Sequence, residues 1–360
     1  MTAKKSSAYI LVASISMLIL ILDAKTAFSG ASEGISLCLT TVIPSLFPFF
    51  VISILLTGLL PSFSSALLRP LGKVLHLPQN AESLSIIGFL GGYPVGAQCI
   101  RQAYCMGALS RNDAERMLAY CSNAGPAFIF GIGAAIFHEK WICWLLWLVH
   151  ILSAFIVGWL TPSENSPSKR KIELPPVSVT DAVSKSLSVM GVVCSWVILF
   201  RVILAFLEKW FLWMFPKNIA LLLCGLLELA NGCTQLVEVP SVTSRFFMFS
   251  VMLGFGGLCV TLQTHAILSN SGLSFRPYIL GKTAQGAVSA LLCACVTPIL
   301  PDGKEQVPNI SVIVMSLLIC VLYRIYCMRA KKDIAFRRKL VYNEFKYPGG
   351  STYEAFSQKD

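Results

Sequence analysis

The sequence has few charged residues. Asp, Glu, Lys and Arg make up only 13% of its 360 residues, against roughly 25% in ordinary soluble domains. Hydrophobic residues reach 55%, and the mean hydropathy is +0.70. Because so little charge cannot cover the surface of a soluble protein of this length, the composition excludes that class and predicts a membrane protein.

The motifs of soluble enzymes and metal proteins are also missing. The 13 cysteines form no C-x-x-C pair, so neither zinc-ligand spacing nor a disulfide framework is visible. The string Gly281-Lys282-Thr283 resembles the end of a P-loop, but Arg276 stands where the first P-loop glycine is required. We therefore expect a protein that is not an enzyme and that has no cofactor and no metal site.

The net charge of +11 suggests nucleic-acid binding, but the positions of the charges argue against it. Basic residues cluster at 4–5, at 169–171 and from 329 onward, with long apolar stretches between them. The cytoplasmic edges of membrane proteins are basic in this way. We expect the partner to be the lipid bilayer of a bacterial cell membrane and not nucleic acid, with both termini in the cytoplasm. Residues 329–346 either contact anionic lipid headgroups or serve only as a topology anchor.

The apolar runs are about 20 residues long, the length that an α-helix needs to cross the hydrocarbon core. The sequence therefore predicts an all-α polytopic membrane protein with about eight transmembrane helices and two re-entrant hairpins. The predicted spans are residues 9–22, 34–60, 112–137, 141–160, 182–207, 245–268, 277–296 and 312–328. The first span is short, and a signal peptide is the alternative. No convincing cleavage site follows it, so we favour a retained anchor.

Two further segments are too rich in glycine, proline and polar residues to be straight spans. Residues 83–106 contain Gly91-Gly92-Tyr93-Pro94 at their centre, and residues 218–239 contain Glu228 to Gly232. Gly and Pro are the poorest helix formers, and irregular backbone at membrane depth is tolerated only inside protein or beside a watery cavity. We predict that each segment enters the bilayer and returns to the same side.

The two halves of the chain have these elements in the same order. Gly88 precedes Gln98 by the same interval as Gly225 precedes Gln235. Eight spans and two hairpins place all three basic clusters inside and open the hairpins on opposite faces, which predicts an inverted repeat like that of many secondary transporters. The predicted units are residues 1–30 (N-terminal membrane anchor helix), 31–160 (first repeat), 161–180 (cytoplasmic linker), 181–300 (second repeat, inverted), 301–329 (last transmembrane helix) and 330–360 (basic cytoplasmic tail).

Three strings resemble a known family. They are Gly92-Tyr93-Pro94-Val95-Gly96-Ala97, the segment 122–131 that begins Ser122-Asn123-Ala124-Gly125-Pro126, and Gly254-Phe255-Gly256-Gly257-Leu258 with Gln263. Together they resemble the sporulation integral membrane protein YlbJ family, which carries the nucleoside-recognition, or Gate, domain. The resemblance covers about residues 34–296 and implies a membrane protein of endospore-forming bacteria, needed for spore cortex or coat maturation. Family members usually have Lys after the Gly-Ala pair, where this chain has Gln98, which puts in doubt any role that needs a cation there.

The candidate substrate-binding residues lie in the broken segments. Glu228 is the most informative, because an ionisable residue at membrane depth is costly and usually functional. It either contacts a substrate or coupling ion or supports the backbone at the hairpin tip. The buried amides either bind a polar ligand or join helices. The full set is Gly92, Tyr93, Pro94, Gly96, Gln98, Asn123, Gly125, Pro126, Glu228, Asn231, Gly256, Gly257 and Gln263.

Two functions fit these features. The first is a permease-like carrier that binds a small polar solute or ion between the two hairpins while one half moves against the other. The second is a non-transporting membrane scaffold needed for spore cortex or coat formation, in which the broken helices only pack. The sequence is compatible with a homo-oligomer and does not name the substrate, the coupling ion or the direction of transport.

Overall fold

The computed structural model describes residues 3–59, 68–78, 81–161, 176–302 and 310–346. Every regular element in these ranges is a helix, which confirms the all-α class. The linker at 161–180 falls largely outside the described residues, as does the tail beyond 346.

The helices are numbered here in chain order. They are α1 (Ala3–Leu22), α2 (Ala24–Leu37), α3 (Ile43–Leu59), α4 (Arg69–Val74), α5 (Glu82–Leu90), α6 (Val95–Cys105), α7 (Arg111–Leu118), α8 (Pro126–Ile136), α9 (Lys140–Leu160), α10 (Val179–Trp210), α11 (Lys217–Leu227), α12 (Leu229–Gln235), α13 (Val242–Phe255), α14 (Gly257–Leu268), α15 (Arg276–Val296) and α16 (Ile310–Lys346). Short 3₁₀ turns follow α10, α12 and α15.

Within the described residues, six helices are long and apolar enough to cross a membrane, judged by length and composition, against about eight expected. They are Ala24–Leu56, Lys140–Leu160, Val179–Trp210, Val242–Leu268, Arg276–Ile299 and Ser311–Ala330. The other two expected spans contain only the shorter apolar helices Tyr9–Leu22 and Pro126–Ile136. The multi-pass membrane class is therefore confirmed, while the eight-span count and the re-entrant path of the hairpins stay predictions.

The second predicted span begins earlier than expected, at Ala24 instead of residue 34. Asp23 forms the N-cap, and its carboxylate accepts a hydrogen bond from the backbone N–H of Thr26. The helix widens into a π-helical turn at Cys38–Val42, just before Pro44. Because proline has no N–H for an α-helical bond, this local change follows directly from the sequence.

Helices α2 and α10 approach each other closely through small residues. A Cβ on Gly30 would lie 3.0 Å from the Cβ of Ala205, and one on Gly34 would lie 2.9 Å from the Cα of Ile198. Small residues spaced four apart allow this contact between membrane helices. Buried Arg201 on α10 reinforces it, since its Nε lies 3.0 Å from a carboxylate oxygen of Glu33 on α2. Residues 30–34 also match the string G-x-S-x-G, but they lie inside a helix and not at a strand-to-helix elbow.

Both predicted hairpins are pairs of helices joined at a break. Helices α5 and α6 are separated by residues 91–94, and Gly88 and Gly96 on them face the same backbone carbonyl, that of Cys121. A Cβ on either glycine would lie 2.1–2.2 Å from that oxygen. In the second pair, α11 and α12, a Cβ on Gly232 would lie 2.1 Å from the Cα of Gly225. Glycine is thus required at these positions for close approach of the backbone.

We expect Gly232→Ala to lower the free energy of unfolding by about 1–3 kcal/mol, because the added methyl group overpacks the contact with Gly225. The matched control is Gly191→Ala, since a Cβ on Gly191 in α10 meets nothing within 4 Å. That control should raise stability by about 0.5–1 kcal/mol through the better helix propensity of alanine. Thermal unfolding of the detergent-solubilised protein measures both. Equal effects of the two substitutions would contradict the close packing of α11 on α12.

Candidate functional site

Helix breaks, the short irregular segments between consecutive helices, from both halves of the chain meet around one cavity. Its volume is about 50 Å³, which holds one or two water molecules at roughly 30 Å³ each. Helices α3, α8, α10, α12 and α14 and the π-helical turn before α3 contribute the remaining wall. The lining residues are Val42, Leu46, Gly92, Tyr93, Ala124, Gly125, Phe128, Val193, Val197, Glu228, Leu229, Ala230, Val260 and Gln263. The lining is thus mostly apolar, with Glu228 its charged member.

Glu228 sits at the break between α11 and α12 and is only 2% exposed. Its carboxylate is the N-cap of α12: Oε1 accepts from the N–H of Ala230 at 3.1 Å and Oε2 from the N–H of Asn231 at 2.6 Å. The Asn231 side chain donates a further bond to Oε2 at 2.7 Å. The carboxylate therefore replaces the helical partners that the break removes, and it still lines the cavity.

Tyr93 ties the first half of the chain to the second. Its hydroxyl donates to the carbonyl oxygen of Leu253 on α13 at 3.2 Å. The break after α13 makes room for it, since a Cβ on Gly256 would lie 2.8 Å from the tyrosine oxygen. Gly256 also has a φ of +84°, a left-handed conformation in which other residues are strained. The Tyr93 hydroxyl therefore packs directly against the backbone of Gly256.

A second polar cluster lies next to this site and centres on Lys282 of α15. This side chain is 1% exposed. Its ammonium lies 2.6 Å from Oε1 of Gln285, 3.1 Å from the carbonyl oxygen of Ser122 and 3.5 Å from Oδ1 of Asn123. It also lies 5.0 Å from the centre of the Tyr93 ring, within the range of a cation–π contact.

The break between α7 and α8 receives its remaining partners from the same cluster. The N–H of Ala124 donates to Nε2 of His150 on α9 at 3.2 Å, so the imidazole is held with that nitrogen unprotonated. Nε2 of Gln285 donates to Oδ1 of Asn123 at 2.9 Å, and the Asn123 amide nitrogen donates to the carbonyl of Tyr120 at 2.7 Å. The carbonyl of Ser122, the side-chain oxygen of Asn123 and the N–H of Ala124 are thereby bound by side chains from two other helices.

The structure brings some of the predicted site residues together and places others elsewhere. Those that line the cavity are Gly92, Tyr93, Gly125, Glu228 and Gln263. Three more lie directly behind the lining. Asn231 contacts Glu228, Gly256 contacts Tyr93, and Pro126 is the first residue of α8. Gly257 lies close to the backbone of Gly225 and Leu229. Outside the lining are Asn123 in the Lys282 cluster, Gly96 against Cys121, Pro94 before α6, and Gln98, half-buried on α6.

Sequence reasoning missed Lys282, Gln285 and His150. In the sequence, Lys282 stands out only as part of an incomplete P-loop string. The signal was present, because Lys282 is a charge in the middle of an apolar span at 277–296, where ionisable residues are expensive and usually functional. Its partners are not readable from spacing, since Asn123 and His150 lie more than a hundred residues away in the chain.

The chain is similar to the sporulation integral membrane protein YlbJ of Bacillus subtilis (strain 168). The two are 27% identical over 312 aligned residues, which cover 74% of this chain and 76% of the relative. This similarity confirms the resemblance to the YlbJ family. No family model matches the chain, so the nucleoside-recognition domain stays a prediction, and no solved structure matches it.

We expect Glu228→Gln to lower the free energy of unfolding by about 1–3 kcal/mol, because an amide presents one oxygen to three N–H donors and turns its own N–H₂ toward them. The matched control is Glu238→Gln, whose carboxylate is about half exposed and pairs only with exposed Lys217 at 2.9 Å. Surface pairs contribute about 0–1 kcal/mol, so the control should unfold almost like the wild type. Thermal unfolding followed by circular dichroism compares them. Identical curves would show that Glu228 does not cap α12.

Proposed function

We propose that this chain, a YlbJ-like sporulation integral membrane protein, is a permease-like carrier of a small polar solute or ion and not an enzyme. The observation that carries the proposal is the buried carboxylate of Glu228 on a cavity between broken helices from both halves of the chain. Interrupted helices around a central cavity are the usual site architecture of secondary transporters. Membrane proteins keep ionisable groups at such positions mainly for function.

The shape and chemistry of the cavity favour a small solute. A space of about 50 Å³ matches a dehydrated ion or a molecule of a few heavy atoms, and a larger or fully hydrated solute requires the walls to open. Glu228 and Gln263 supply the polar side chains, while Gly92 and Gly125 bring backbone close to the cavity. We propose that these residues bind the solute and that Asn231 orients the carboxylate.

The helix breaks also allow the two halves of the chain to move relative to each other. In this proposal the two halves form an inverted repeat, and the half that contains α5–α9 moves against the half that contains α11–α15. The Tyr93 contact with Leu253 joins the halves and would break and reform during the cycle. The basic clusters at 4–5, 169–171 and 329 onward support a cytoplasmic location for both termini by the positive-inside rule.

The non-transporting scaffold remains the second candidate, because one observation favours it. Each described hydrogen bond of the Glu228 carboxylate is to its own helix, and the rest of the cavity wall is largely apolar. A group that only caps α12 would need no solute.

Uptake into proteoliposomes separates the two functions. Purified wild type, Glu228→Gln and Glu238→Gln are reconstituted and supplied with nucleosides, divalent metal ions or small dicarboxylate anions under imposed ion gradients. We expect one solute class to accumulate with the wild type and with Glu238→Gln, and to fall at least about tenfold with Glu228→Gln, as expected when a buried hydrogen-bonding group is lost. Glu228→Gln must first show a folded protein by circular dichroism. Absence of uptake for every solute, with all three proteins folded, would favour the scaffold.

A further inference from the structure

Lys282 lies where three of the helix breaks meet. Its ammonium lies 3.1 Å from the carbonyl of Ser122 in the break before α8 and 5.0 Å from the ring of Tyr93 in the break before α6. The third break, after α13, lies beside the aliphatic chain of Lys282, since a Cβ on Gly256 would lie 3.5 Å from the Cε of the lysine. One side chain on an otherwise apolar span thus contacts the irregular backbone of both halves.

The oxygens around this ammonium are neutral. They are the carbonyl of Ser122 and the side-chain amide oxygens of Asn123 and Gln285, and no carboxylate among the described residues pairs with Lys282. Carbonyl and amide oxygens at an unwound helix are the ligands that hold metal cations in many transporters. Here the same kind of oxygen shell is filled by a cation that is covalently part of the protein.

We propose that Lys282 is a proton-binding site that couples protonation to the arrangement of the helix breaks, so that a proton takes the place of a coupling metal ion. The protonated ammonium donates to Ser122 and Gln285, faces the Tyr93 ring and holds the two halves in the observed arrangement. The neutral amine loses its attraction to the ring and to Asn123, which frees the break at residues 119–125. The coupling role rests on the proposed carrier function, whereas proton binding itself does not.

A lysine in this position is suited to such a switch. Burial without a countercharge destabilises the charged form, while three oxygens and an aromatic face stabilise it, so the two forms lie close in free energy. The tethered ammonium also occupies the space that Na⁺ would need. The wild-type site is therefore expected to respond to protons and not to sodium.

The other groups around Lys282 leave it as the best candidate for this titration. His150 on α9 is buried, and its Nε2 already accepts from Ala124. Tyr93 donates its hydroxyl proton to the carbonyl of Leu253. Other charged or titratable groups of elements packed against α15 are bonded elsewhere. On α7, Asp113 accepts from Ser110, Arg111 pairs with Glu115, and Arg116 donates to the carbonyls of Leu75 and His76. Arg245 on α13 donates to the carbonyls of Val239, Ile136 and Pro240, and Tyr278 on α15 accepts from Thr264. On α16, Tyr323 bonds to Thr161 and Arg324 donates to the carbonyl of Leu160.

The first test is hydrogen exchange of the break at residues 119–125, measured by mass spectrometry on the full chain in lipid nanodiscs. After correction for the chemical exchange rate, wild-type protection should fall on the order of tenfold between about pH 6 and about pH 10, a range that spans the titration of a perturbed lysine. Lys282→Met cannot titrate, so its protection should be constant. Lys282→Arg keeps the charge at every pH, so its protection should be constant too.

The second test uses Na⁺ as the probe. Lys282→Ala removes the ammonium from the oxygens of Ser122 and Gln285, while Oδ1 of Asn123 keeps its bond from the Gln285 amide, and Na⁺ can bind in place of the ammonium. The thermal unfolding temperature of Lys282→Ala should rise in about 0.15 M NaCl relative to choline chloride at the same ionic strength, while that of the wild type should not change.

The outcomes are decisive even where a variant fails to fold. A wild-type protection profile that does not change with pH, or a wild type stabilised by Na⁺, would overturn the proposal without any variant. A profile that changes in Lys282→Met as in the wild type would place the titration on another group and overturn it as well. Failure of every uptake experiment would remove the carrier function but leave a pH-dependent break in place, so the two failures are distinguishable.

Discussion

Backbone groups without a helical partner must find another partner inside the protein when the surroundings are apolar, because an unsatisfied N–H or C=O there costs several kcal/mol. The site of this protein is built on that constraint. Glu228 binds the N–H groups at the start of α12, His150 accepts from Ala124, Lys282 donates to Ser122, and Tyr93 donates to Leu253. Three of the breaks are therefore paired with a buried polar side chain.

These partners also connect the two halves of the chain. Lys282 and Gln285 on α15 serve the break at residues 119–125, and Tyr93 from the first half serves the break after α13. A rearrangement of one break is then expected to disturb a partner in the other half. Such reciprocal contacts suit the proposed carrier, in which one half moves against the other, and they also give Lys282 a position from which one proton would affect three breaks.

The sequence predicted the helical class, the breaks and several wall residues of the cavity, because each depends on local chemistry. Gly-Gly-Tyr-Pro cannot continue a helix, and residues 91–94 do separate α5 from α6. Gly92, Tyr93, Gly125, Glu228 and Gln263 reach the cavity, whereas Gln98 does not line it. The choice between cavity and packing for a polar residue depends on its helix face after docking, which one sequence does not reveal.

The sequence by itself determined that this is a multi-pass helical membrane protein with interrupted helices, since low charge, long apolar runs and helix-breaking residues are properties of each segment alone. Tertiary structure decided that Lys282, Asn123 and His150 form one cluster, and that Glu228 caps α12 while lining a cavity. Those contacts join residues far apart in the chain, and they exist only because glycine-to-backbone contacts, such as those of Gly88 and Gly96 with Cys121, let the broken helices approach closely enough for buried polar groups to satisfy one another.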